Sequence, residues 1–410
     1  MNFDHSDQTK ELIERIDQFF AEEIRPVEEP LLREIHAKEF ADRWVQPPIV
    51  EELKAKAKAQ GLWNLFLPDP EHGAGLSNVD YAPLAERMGA SIIGPEVFNC
   101  NAPDTGNMEV LHMFGSPEQK ADYLEPLLAG EIRSAFCMTE PDTASSDATN
   151  MEATALIEGD EIVVNGRKWW STGIGHPNCK VLIFMGVTFP EGDRHHRHSM
   201  VLIPKDAPGV TVERMLPAMG FFDEPGGHGE VVFRDVRLPK SAFIGQPGEA
   251  FSIAQARLGP GRVHHCMRLI GLAEMALQMA IERGMARVAF GKPIINLGGN
   301  RERIADARIA IDQTRLLVLQ AAWLLDQRRP EALPAVSAIK VAAPRMACEV
   351  IDMAIQIHGG GGMSNDFPLA AAYAGARSLR LADGPDEVHQ GVLARLELAK
   401  YGAGKWAAKK

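Results

Sequence analysis

The spacing of apolar residues changes twice along this 410-residue chain, and that change constrains the fold more than any other feature. In residues 1–130, apolar side chains recur three or four positions apart, as at Ile16 and Phe19, which predicts amphipathic helices. Residues 131–240 instead contain short β-rich runs between turn signals, and long helical patterns return in residues 241–410. We therefore predict an α+β fold with an N-terminal helical domain, a middle antiparallel β domain and a C-terminal helical bundle, divided at these boundaries.

Local signals add detail to this organisation. Three apolar stripes, beginning at Leu269, Ile304 and Ile339, alternate steps of three and four and predict the long helices of the bundle. The Asn-Gly pair at residues 165–166 predicts a tight turn between strands. A Gly-Pro-Gly sequence at residues 259–261 predicts a turn that opens the first long helix of the bundle. Such a turn would bring the nearby arginines to free helix N–H groups, an arrangement that suits phosphate.

Charge and cysteine content exclude several classes of protein. The formal net charge is −12, from 43 basic and 55 acidic residues, which disfavours nucleic acid as the main partner. Five scattered cysteines without CxxC spacing indicate reduced thiols rather than a disulfide framework or a zinc site. The first twenty residues lack the apolar core of a secretory signal, and no uncharged apolar run approaches ~18 residues. We expect a cytoplasmic or matrix-like location without a membrane span.

The common motifs of hydrolases, nucleotide triphosphatases and dinucleotide-binding proteins do not occur in the sequence. HExxH, GxSxG and GxxxxGK[ST] do not occur, and no GxGxxG follows a strand and opens a helix. The histidine-rich run at residues 194–198 lies between two predicted strands and lacks the i,i+4 spacing of helical metal ligands. We interpret it as a solvated hairpin loop and predict no metal site.

Two segments of the β region carry polar and aromatic groups that suit a ligand. Residues 136–150 (FCMTEPDTASSDATN) are rich in small hydroxyls, which can bind a heterocycle or a phosphate, although a surface turn would look the same. Trp169 and Trp170 are adjacent on a predicted strand, so their side chains should face opposite ways. One could lie against a flat ring with a hydroxyl of Ser171 or Thr172 near a ring nitrogen; a core tryptophan beside an interface tryptophan is the alternative.

Two segments of the bundle region complete the set. In residues 257–271, Arg262 and Arg268 are candidate phosphate or thioester ligands, while the two histidines between them are either polar lining or core residues. Four consecutive glycines follow a long helix in residues 354–364 and permit close approach of a ligand, although a helix C-cap would look similar. Asp383 precedes Gly-Pro on a turn, where its carboxylate either points into a cavity or is simply exposed.

Taken in order, these segments resemble the acyl-CoA dehydrogenase family over nearly the whole chain. The matching motifs are FCMTEPDTASSD, KWWSTG, RVAFGK, QIHGG and ADGPDEVH. The spellings MTEPDTASSDATN and RLGPGRVHHCMR are most similar to the branch of eukaryotic family member eleven. That resemblance implies fatty acid β-oxidation chemistry on long-chain or 4-hydroxyacyl-CoA substrates.

The resemblance implies FAD bound between the β domain and the bundle, an acyl-CoA substrate, and electron-transfer flavoprotein as electron acceptor. The residues that it places at the cofactor are Phe136, Met138, Thr139, Ser145, Ser146, Trp169, Trp170, Ser171, Thr172, Arg287, Phe290, Gln356, Gly359, Gly360, Pro385 and Glu387. Those that it places at the substrate are Ser146, Leu258, Gly259, Gly261, Arg262 and Gly384. In the family, the positions of Arg287, Phe290 and Gln356 reach the cofactor of a neighbouring subunit, which implies a homodimer or homotetramer.

The resemblance also assigns the catalytic base. Most relatives have glutamate in a Tyr-Glu-Gly-Thr turn, whereas this chain has Ala-Asp-Gly-Pro with Asp383 at the catalytic position. The other position at which relatives carry the base, directly before the substrate arginine, is Gly261. Asp383 is therefore expected to remove the α-proton while the β-hydrogen leaves as hydride to flavin N5. The main-chain N–H of Asp383 and a flavin ribityl hydroxyl would stabilise the thioester oxygen.

Two alternatives stay open at this point. One is a flavin oxidase of the same fold, similar to acyl-CoA oxidases or nitroalkane oxidases, the latter of which also use an aspartate base. The match of Arg262 to the CoA-site pattern favours the thioester substrate. The other alternative is a non-catalytic scaffold that has lost its flavin. Retention of the tryptophan, hydroxyl and carboxylate positions together argues against it.

Overall fold

The computed structural model of the chain describes residues 4–402, apart from the side chains of residues 257–260. The described chain forms two compact units. The first, here called the helical unit, contains the chain up to His36, Pro68–Pro95 and the chain from Arg262 onward. The second, the β unit, contains Ala37–Leu67 and Glu96–Gly261. The predicted substrate contacts at Leu258 and Gly259 lie outside the described residues.

The order of elements is helical, then β, then helical. The helices are α1 (Asp7–Phe19), α2 (Arg25–Ala37), α3 (Pro48–Ala59), α4 (Asn78–Gly89), α5 (Gly94–Val97), α6 (Asp104–Phe114), α7 (Pro117–Gln119), α8 (Glu125–Ala129), α9 (Ala250–Ala286), α10 (Asn300–Asp326), α11 (Ala332–His358), α12 (Leu369–Ser378) and α13 (Asp386–Lys400). The strands are β1 (Arg133–Cys137), β2 (Thr154–Glu158), β3 (Glu161–Thr172), β4 (Cys179–Val187), β5 (His198–Pro204), β6 (Val210–Met215), β7 (His228–Pro239), β8 (Phe243–Ile244), β9 (Val288–Ala289) and β10 (Lys292–Pro293). The predicted α+β fold is confirmed.

Local sequence explains where the short helices of the β unit begin and end. The Ser116 hydroxyl accepts a hydrogen bond from the Gln119 main-chain N–H, and the Gln119 side-chain oxygen accepts one from the Ser116 main-chain N–H, a capping box with Pro117 at the first helical position. Gly130 ends α8 in the left-handed conformation (φ 74°). This end is tightly packed, since a Cβ on Gly130 would lie 2.7 Å from the Trp63 ring.

The strands of the β unit form a mixed sheet in the order β6-β7-β3-β2-β4-β5-β8, with β1 also paired to β4. Most neighbours are antiparallel, as predicted, but β1 runs parallel to β4, with Phe136 opposite Ile183. The core of the sheet is formed by alternate, fully buried residues such as Ala135, Phe184 and Phe233. Strand β1, which leads into the 136–150 segment, is therefore fixed along the buried part of the sheet.

The predicted turn at residues 165–166 is wrong. Strand β3 continues through both residues, and its pairing with β7 shifts register between Val164 and Gly166. Gly166 has φ 145°, and a Cβ there would lie 2.4 Å from the Cβ of Ala153. The glycine therefore permits a close approach at a bulge. The hairpin turn lies earlier, where Glu158 pairs with Glu161 and Gly159 has φ 60°.

Three long helices, α9, α10 and α11, dominate the helical unit, and their predicted apolar stripes are largely buried. Leu269 on α9, Ile311 on α10 and Ile339 on α11 are examples of these buried positions. None of the described helices combines the length and the apolar character that a bilayer span requires. All five cysteines are buried free thiols, in agreement with the predicted reduced state.

The predicted turn at residues 259–261 is also wrong. Helix α9 begins at Ala250 and runs without interruption to Ala286. Ile253 and Val263, on either side of the Gly-Pro-Gly sequence, are both buried, so apolar burial continues along the helix. Arg262 consequently lies within the helix, where main-chain N–H groups are already used by the helix itself. The interpretation as a phosphate site at a helix N-terminus therefore does not hold.

Candidate active site

In the β unit, one main-chain hydrogen bond joins two of the predicted segments. The N–H of Trp169 on β3 donates to the carbonyl oxygen of Thr139, 2.9 Å away, in the segment that follows β1. This bond brings Phe136, Met138 and Thr139 beside the Trp169–Thr172 end of β3. The structure thus gathers these predicted cofactor residues at one place on the sheet, here called the tryptophan edge.

The two tryptophans of this edge have different environments. The pairing of β3 with β7 shifts register between Lys168 and Ser171, and Trp170 has φ 53°. Trp169 is partly buried, whereas Trp170 is 40% exposed. Their ring centroids are 6.3 Å apart, at an interplanar angle of 62°. A bulge therefore sets the directions of the two rings, rather than simple strand alternation.

Two buried polar atoms at the tryptophan edge lack hydrogen-bond partners among the described residues. They are the indole Nε1 of Trp169 and the hydroxyl Oγ of Ser171. Ser171 lies beside the thiol of Cys137, and burial raises the pKa of that thiol to about 11 while the serine hydroxyl acts in the opposite direction. A buried donor without an acceptor costs ~1–3 kcal/mol. This edge therefore suits a ligand that brings hydrogen-bond acceptors.

A buried ion pair holds the 136–150 segment against β3. Lys168 Nζ donates to Glu140 Oε1 at 2.7 Å and to the Met138 carbonyl oxygen at 2.9 Å. The Glu140 carboxylate also accepts hydrogen bonds from the main-chain N–H groups of Glu152 (2.8 Å) and Ala153 (3.0 Å) and from the Thr143 hydroxyl (3.5 Å). Our sequence reasoning missed this pair. The only available signal was the presence of a lysine and a glutamate inside the two ligand-like segments.

The remaining hydroxyl candidates of the β unit have different surroundings. Ser145 Oγ accepts a hydrogen bond from the main-chain N–H of Glu140 at 2.9 Å, so it helps to fold its own loop. Ser146 is exposed. Thr172 Oγ1 lies 2.9 Å from Nδ1 of His228, whose ring is stacked at a tilt near Trp170. Thr172 therefore belongs to the tryptophan edge, while Ser146 is free to meet a ligand from solvent.

In the helical unit, Asp383 lies on the turn between α12 and α13, as the sequence predicted. Its backbone has φ 54° and that of Gly384 has φ 98°, both in the left-handed region. The carbonyl oxygen of Asp383 accepts hydrogen bonds from Arg262 Nε (3.0 Å) and His389 Nε2 (3.2 Å). Its carboxylate Oδ2 lies 3.4 Å from His265 Nε2. Side chains from two helices therefore hold a turn of uncommon backbone conformation.

Burial strongly shapes the electrostatics of this cluster. Burial lowers the pKa of His389 to about 4, and the Arg262 charge acts in the same direction. Lys340, also buried, has a lowered pKa for the same reason, with the negative charge of Asp383 among the influences opposing the shift. Lys340 Nζ donates to the carbonyl oxygen of Leu379, just before the turn. Near neutral pH, His389 is therefore uncharged.

A second carboxylate anchors the far side of the turn. Asp386 is buried in the first turn of α13, and its Oδ2 accepts hydrogen bonds from Arg345 (3.0 Å) and Arg380 (2.9 Å). Pro385 is the N-cap residue of α13, and Glu387 is exposed beside Asp386. Of the predicted residues in this turn, Glu387 is thus the one that is open to a ligand from solvent.

The other predicted cofactor residues of the helical unit lie at its surface, in two places. Arg287 is exposed, and Phe290, with Gly291, forms the turn of the short β9–β10 hairpin and is 93% exposed. Gln356, Gly359 and Gly360 are exposed at the end of α11, where Gly359 (φ 64°) is the C-cap. The described contacts of Asp383 are instead with residues of α9 and α13.

Two histidines next to Arg262 have separate roles. His264 is a core residue with its ring edge-on to Tyr81, and burial lowers its pKa to about 3. His265 contacts Asp383 instead, a role that our sequence reasoning missed, as it also missed Lys340. A signal existed, because His265 lies three residues after Arg262 and hence on the same helix face. Around Gly261, a Cβ would meet no atom within 4 Å, so nothing in the described structure fills that position.

Comparisons with known proteins cover almost the whole chain. Models of the acyl-CoA dehydrogenase N-terminal, middle and C-terminal domains match residues 6–131, 135–236 and 248–398. The mouse protein acyl-CoA dehydrogenase family member 10 is 53% identical over 96% of this chain, which spans 37% of that relative. FadE2 of Mycobacterium tuberculosis, assigned to the acyl-CoA dehydrogenases, is 54% identical over 86% of each protein.

The solved structure of a Mycobacterium abscessus protein, assigned to the same enzymes, has a TM-score of 0.95 and 69% identity. The alignment covers 97% of this chain and 100% of that one. By contrast, the chain spans about half the length or less of several curated relatives, including 51% of the mouse family member 11 protein. Similarity over the full length is therefore shared with some relatives, while others carry additional sequence.

Proposed function

Because this chain belongs to the acyl-CoA dehydrogenase family, we propose that it oxidises the Cα–Cβ bond of an acyl-CoA thioester to the trans-2-enoyl-CoA, using FAD. The observation that carries this proposal is the Asp383 turn. There Arg262 and His389 donate hydrogen bonds to the main-chain carbonyl oxygen of Asp383, and His265 contacts its carboxylate. Abstraction of a proton from a bound thioester requires a base that is held in position, and this turn supplies one.

The tryptophan edge of the β unit fits FAD, the characteristic cofactor of the family. The buried indole Nε1 of Trp169, which has no partner among the described residues, and the Ser171 hydroxyl beside the Cys137 thiol suit the ring nitrogens and carbonyl oxygens of a flavin. Phe136, Met138 and Thr139 would line the same place. When bound, FAD supplies the acceptor for the β-hydride. The protein residues bind and orient the cofactor, and the Lys168–Glu140 pair keeps their segment in place.

The chemistry that the protein itself performs centres on Asp383. Its carboxylate would accept the α-proton, and its main-chain N–H would donate to the thioester oxygen as negative charge develops there. Arg262 would lie along the acyl-CoA, with its Nε already committed to the Asp383 carbonyl oxygen. Since an aspartate reaches one methylene less far than glutamate, the acyl chain must approach this turn more closely than in most relatives.

We further propose a homodimer or homotetramer with FAD-binding residues from a neighbouring subunit. The support is the exposure of Arg287 together with Val288 (67%) and Phe290 (93%), because neighbouring apolar side chains exposed on one hairpin are typical of a surface that a partner covers. Electron-transfer flavoprotein is our proposed electron acceptor.

An oxidase of the same fold is the competing function. Hydrogen peroxide yield during turnover in air separates an oxidase from a dehydrogenase, because an oxidase releases one peroxide per acyl group.

The test of the proposed function is direct. The purified protein, loaded with FAD, is expected to show flavin absorption that bleaches anaerobically with a competent acyl-CoA. The panel should include short-chain, long-chain and 4-hydroxyacyl-CoA thioesters, with the matching free acids as controls. A protein that binds no flavin would be the non-catalytic scaffold. A flavin that is bleached by none of the thioesters would contradict the proposed substrate class.

A further inference from the structure

Three basic residues of α9 share one face of the helix because they follow each other at intervals of three. They are Arg262, His265 and Arg268. Arg262 Nε donates to the carbonyl oxygen of Asp383 at 3.0 Å. His265 Nε2 lies 3.4 Å from the carboxylate Oδ2 of the same aspartate. Neighbouring residues of one helix therefore contact both the main chain and the side chain of Asp383.

Arg268 fixes which nitrogen of His265 carries the proton. Its Nη2 lies 3.1 Å from Nδ1 of His265. A guanidinium group can only donate hydrogen bonds, so Nδ1 must be the acceptor. The single proton of the neutral imidazole is then on Nε2, the nitrogen that faces Asp383. Arg268, His265 and Asp383 thus form a series in which Arg268 donates to Nδ1 of His265 and the protonated Nε2 lies 3.4 Å from the carboxylate.

We propose that His265 is a positioning residue, which holds the carboxylate of Asp383 and favours its ionised, proton-accepting form. This inference rests on the proposed function, in which Asp383 is the base. The histidine contact would restrict the Asp383 side chain, which is short and projects from a turn with a left-handed backbone (φ 54°). Small rotations about its side-chain bonds would otherwise move the carboxylate away from a bound thioester.

Charged and titratable groups from three helices surround the Asp383–His265 pair. They are Arg262 and Arg268 on α9, Lys340 on α11, and Asp386 and His389 on α13. Lys340 and His389 donate to main-chain oxygens, those of Leu379 and Asp383. Asp386 is paired with two arginines of its own. His265, by contrast, contacts the carboxylate itself.

Two substitutions of His265 test this role in the FAD-loaded enzyme. His265→Leu removes the donor, so the apparent pKa of the acid limb of kcat/KM should rise by about one unit, which lowers kcat/KM by ~10-fold at pH values below the limb and leaves the plateau nearly unchanged. His265→Gln keeps an amide donor near the position of Nε2, so its acid limb should stay near that of the wild type. A merely structural role would lower the rate at every pH without moving the limb.

A second measurement needs no turnover. In protein labelled with ¹⁵N-histidine, the signal of His265, assigned by its loss in His265→Gln, should show the proton on Nε2. That signal should shift in Asp383→Asn, because the carboxylate oxygen 3.4 Å from Nε2 is replaced by an uncharged amide. A His265 protonated on Nδ1 would overturn the inference, even if His265→Leu fails to fold.

Asp383→Asn also separates failure of this inference from failure of the proposed function. If that variant still reduces its flavin at the wild-type rate with acyl-CoA, the proposed base is wrong and the role of His265 falls with it. If Asp383→Asn is inactive while His265→Leu retains both the wild-type rate and the wild-type acid limb, only the positioning role is overturned.

Discussion

Lys168 Nζ lies 2.7 Å from Glu140 Oε1 inside the β unit, and both side chains are buried. The pair ties the end of β3 to the segment that follows β1, since Lys168 also donates to the carbonyl oxygen of Met138. Burial lowers the pKa of Lys168, and the charge of Glu140 opposes that shift. The cation is therefore retained in the interior by its carboxylate partner.

Removing the carboxylate should destabilise the fold. Glu140→Gln leaves a buried ammonium group without its counter-charge, which we expect to lower the free energy of unfolding by ~3–5 kcal/mol. Urea unfolding of the FAD-free protein measures this loss. The double variant Glu140→Gln with Lys168→Met removes both charges and should recover much of it. A single variant as stable as the wild type would show that the pair contributes little.

Because the indole N–H of Trp169 has no partner among the described residues, its removal should affect cofactor binding much more than stability. Trp169→Phe removes a buried donor that has no partner among the described residues, so the FAD-free protein should lose little stability. FAD affinity should fall by ~1–3 kcal/mol, as the flavin loses that donor. The matched control is Trp323→Phe on the exposed face of α10, which should leave FAD affinity unchanged. Unchanged affinity in Trp169→Phe would remove the indole from the cofactor site.

The helical stripes and the position of Asp383 could be predicted from the sequence, because periodicity and turn residues are local signals. The role of Gly166 could not be predicted, since the glycine permits close approach to Ala153, which directly precedes the neighbouring strand β2. The Gly-Pro-Gly sequence misled for a related reason, because burial along α9 outweighs local turn preference. His265 was missed because its partner lies 118 positions later in the chain, 383 minus 265, and only the fold brings the two together.

Buried histidines make stability depend on pH. Burial lowers the pKa of His264 to about 3, whereas in the unfolded chain it titrates near ~6.5. Below that pH the unfolded state binds a proton that the folded state does not, so stability is complete above pH ~6.5 and falls on acidification. The expected slope is ~1.4 kcal/mol per pH unit for each such histidine. His176 and His389, both lowered to about 4, act in the same direction.

Urea unfolding between pH 6.5 and 5 tests this dependence. His264→Leu should reduce the slope of unfolding free energy against pH by the equivalent of about one proton, because the unfolded chain then has one histidine fewer to protonate. His195→Gln, at an exposed loop position, is the control and should leave the slope as it is. An unchanged slope in His264→Leu would mean that His264 is protonated in the folded protein within this range.

FAD retention should depend on the exposed hairpin of the helical unit. Arg287→Ala should weaken retention by ~1.5–3 kcal/mol, because a cofactor phosphate would lose a charge-assisted hydrogen bond. Arg301→Ala, at an exposed position near the start of α10, is the charge-matched control. Equilibrium dialysis and the oligomeric state from light scattering should be measured together. Equal FAD affinity in both variants and the wild type would remove Arg287 from the cofactor site.

The catalytic assignment is tested most sharply at Asp383. Asp383→Asn keeps the shape of the side chain and removes the basic oxygen, so FAD should remain bound. Flavin reduction by a competent acyl-CoA, followed by anaerobic stopped flow, should fall by ~10²–10⁴-fold. A variant that bleaches its flavin at close to the wild-type rate would require another base, and this mechanism would have to be abandoned.

Asp383→Glu distinguishes the need for a carboxylate from the need for its position. Measurable activity should remain, because glutamate is the residue that most relatives carry in this turn. The carboxylate would advance by one methylene and move beyond the 3.4 Å contact that Oδ2 makes with His265. We therefore expect a changed preference across the acyl-CoA panel and a shifted acid limb in the pH profile of kcat/KM. An inactive Asp383→Glu with normal FAD content would indicate that the length of the aspartate side chain, set by the geometry of its turn, is itself essential for proton abstraction.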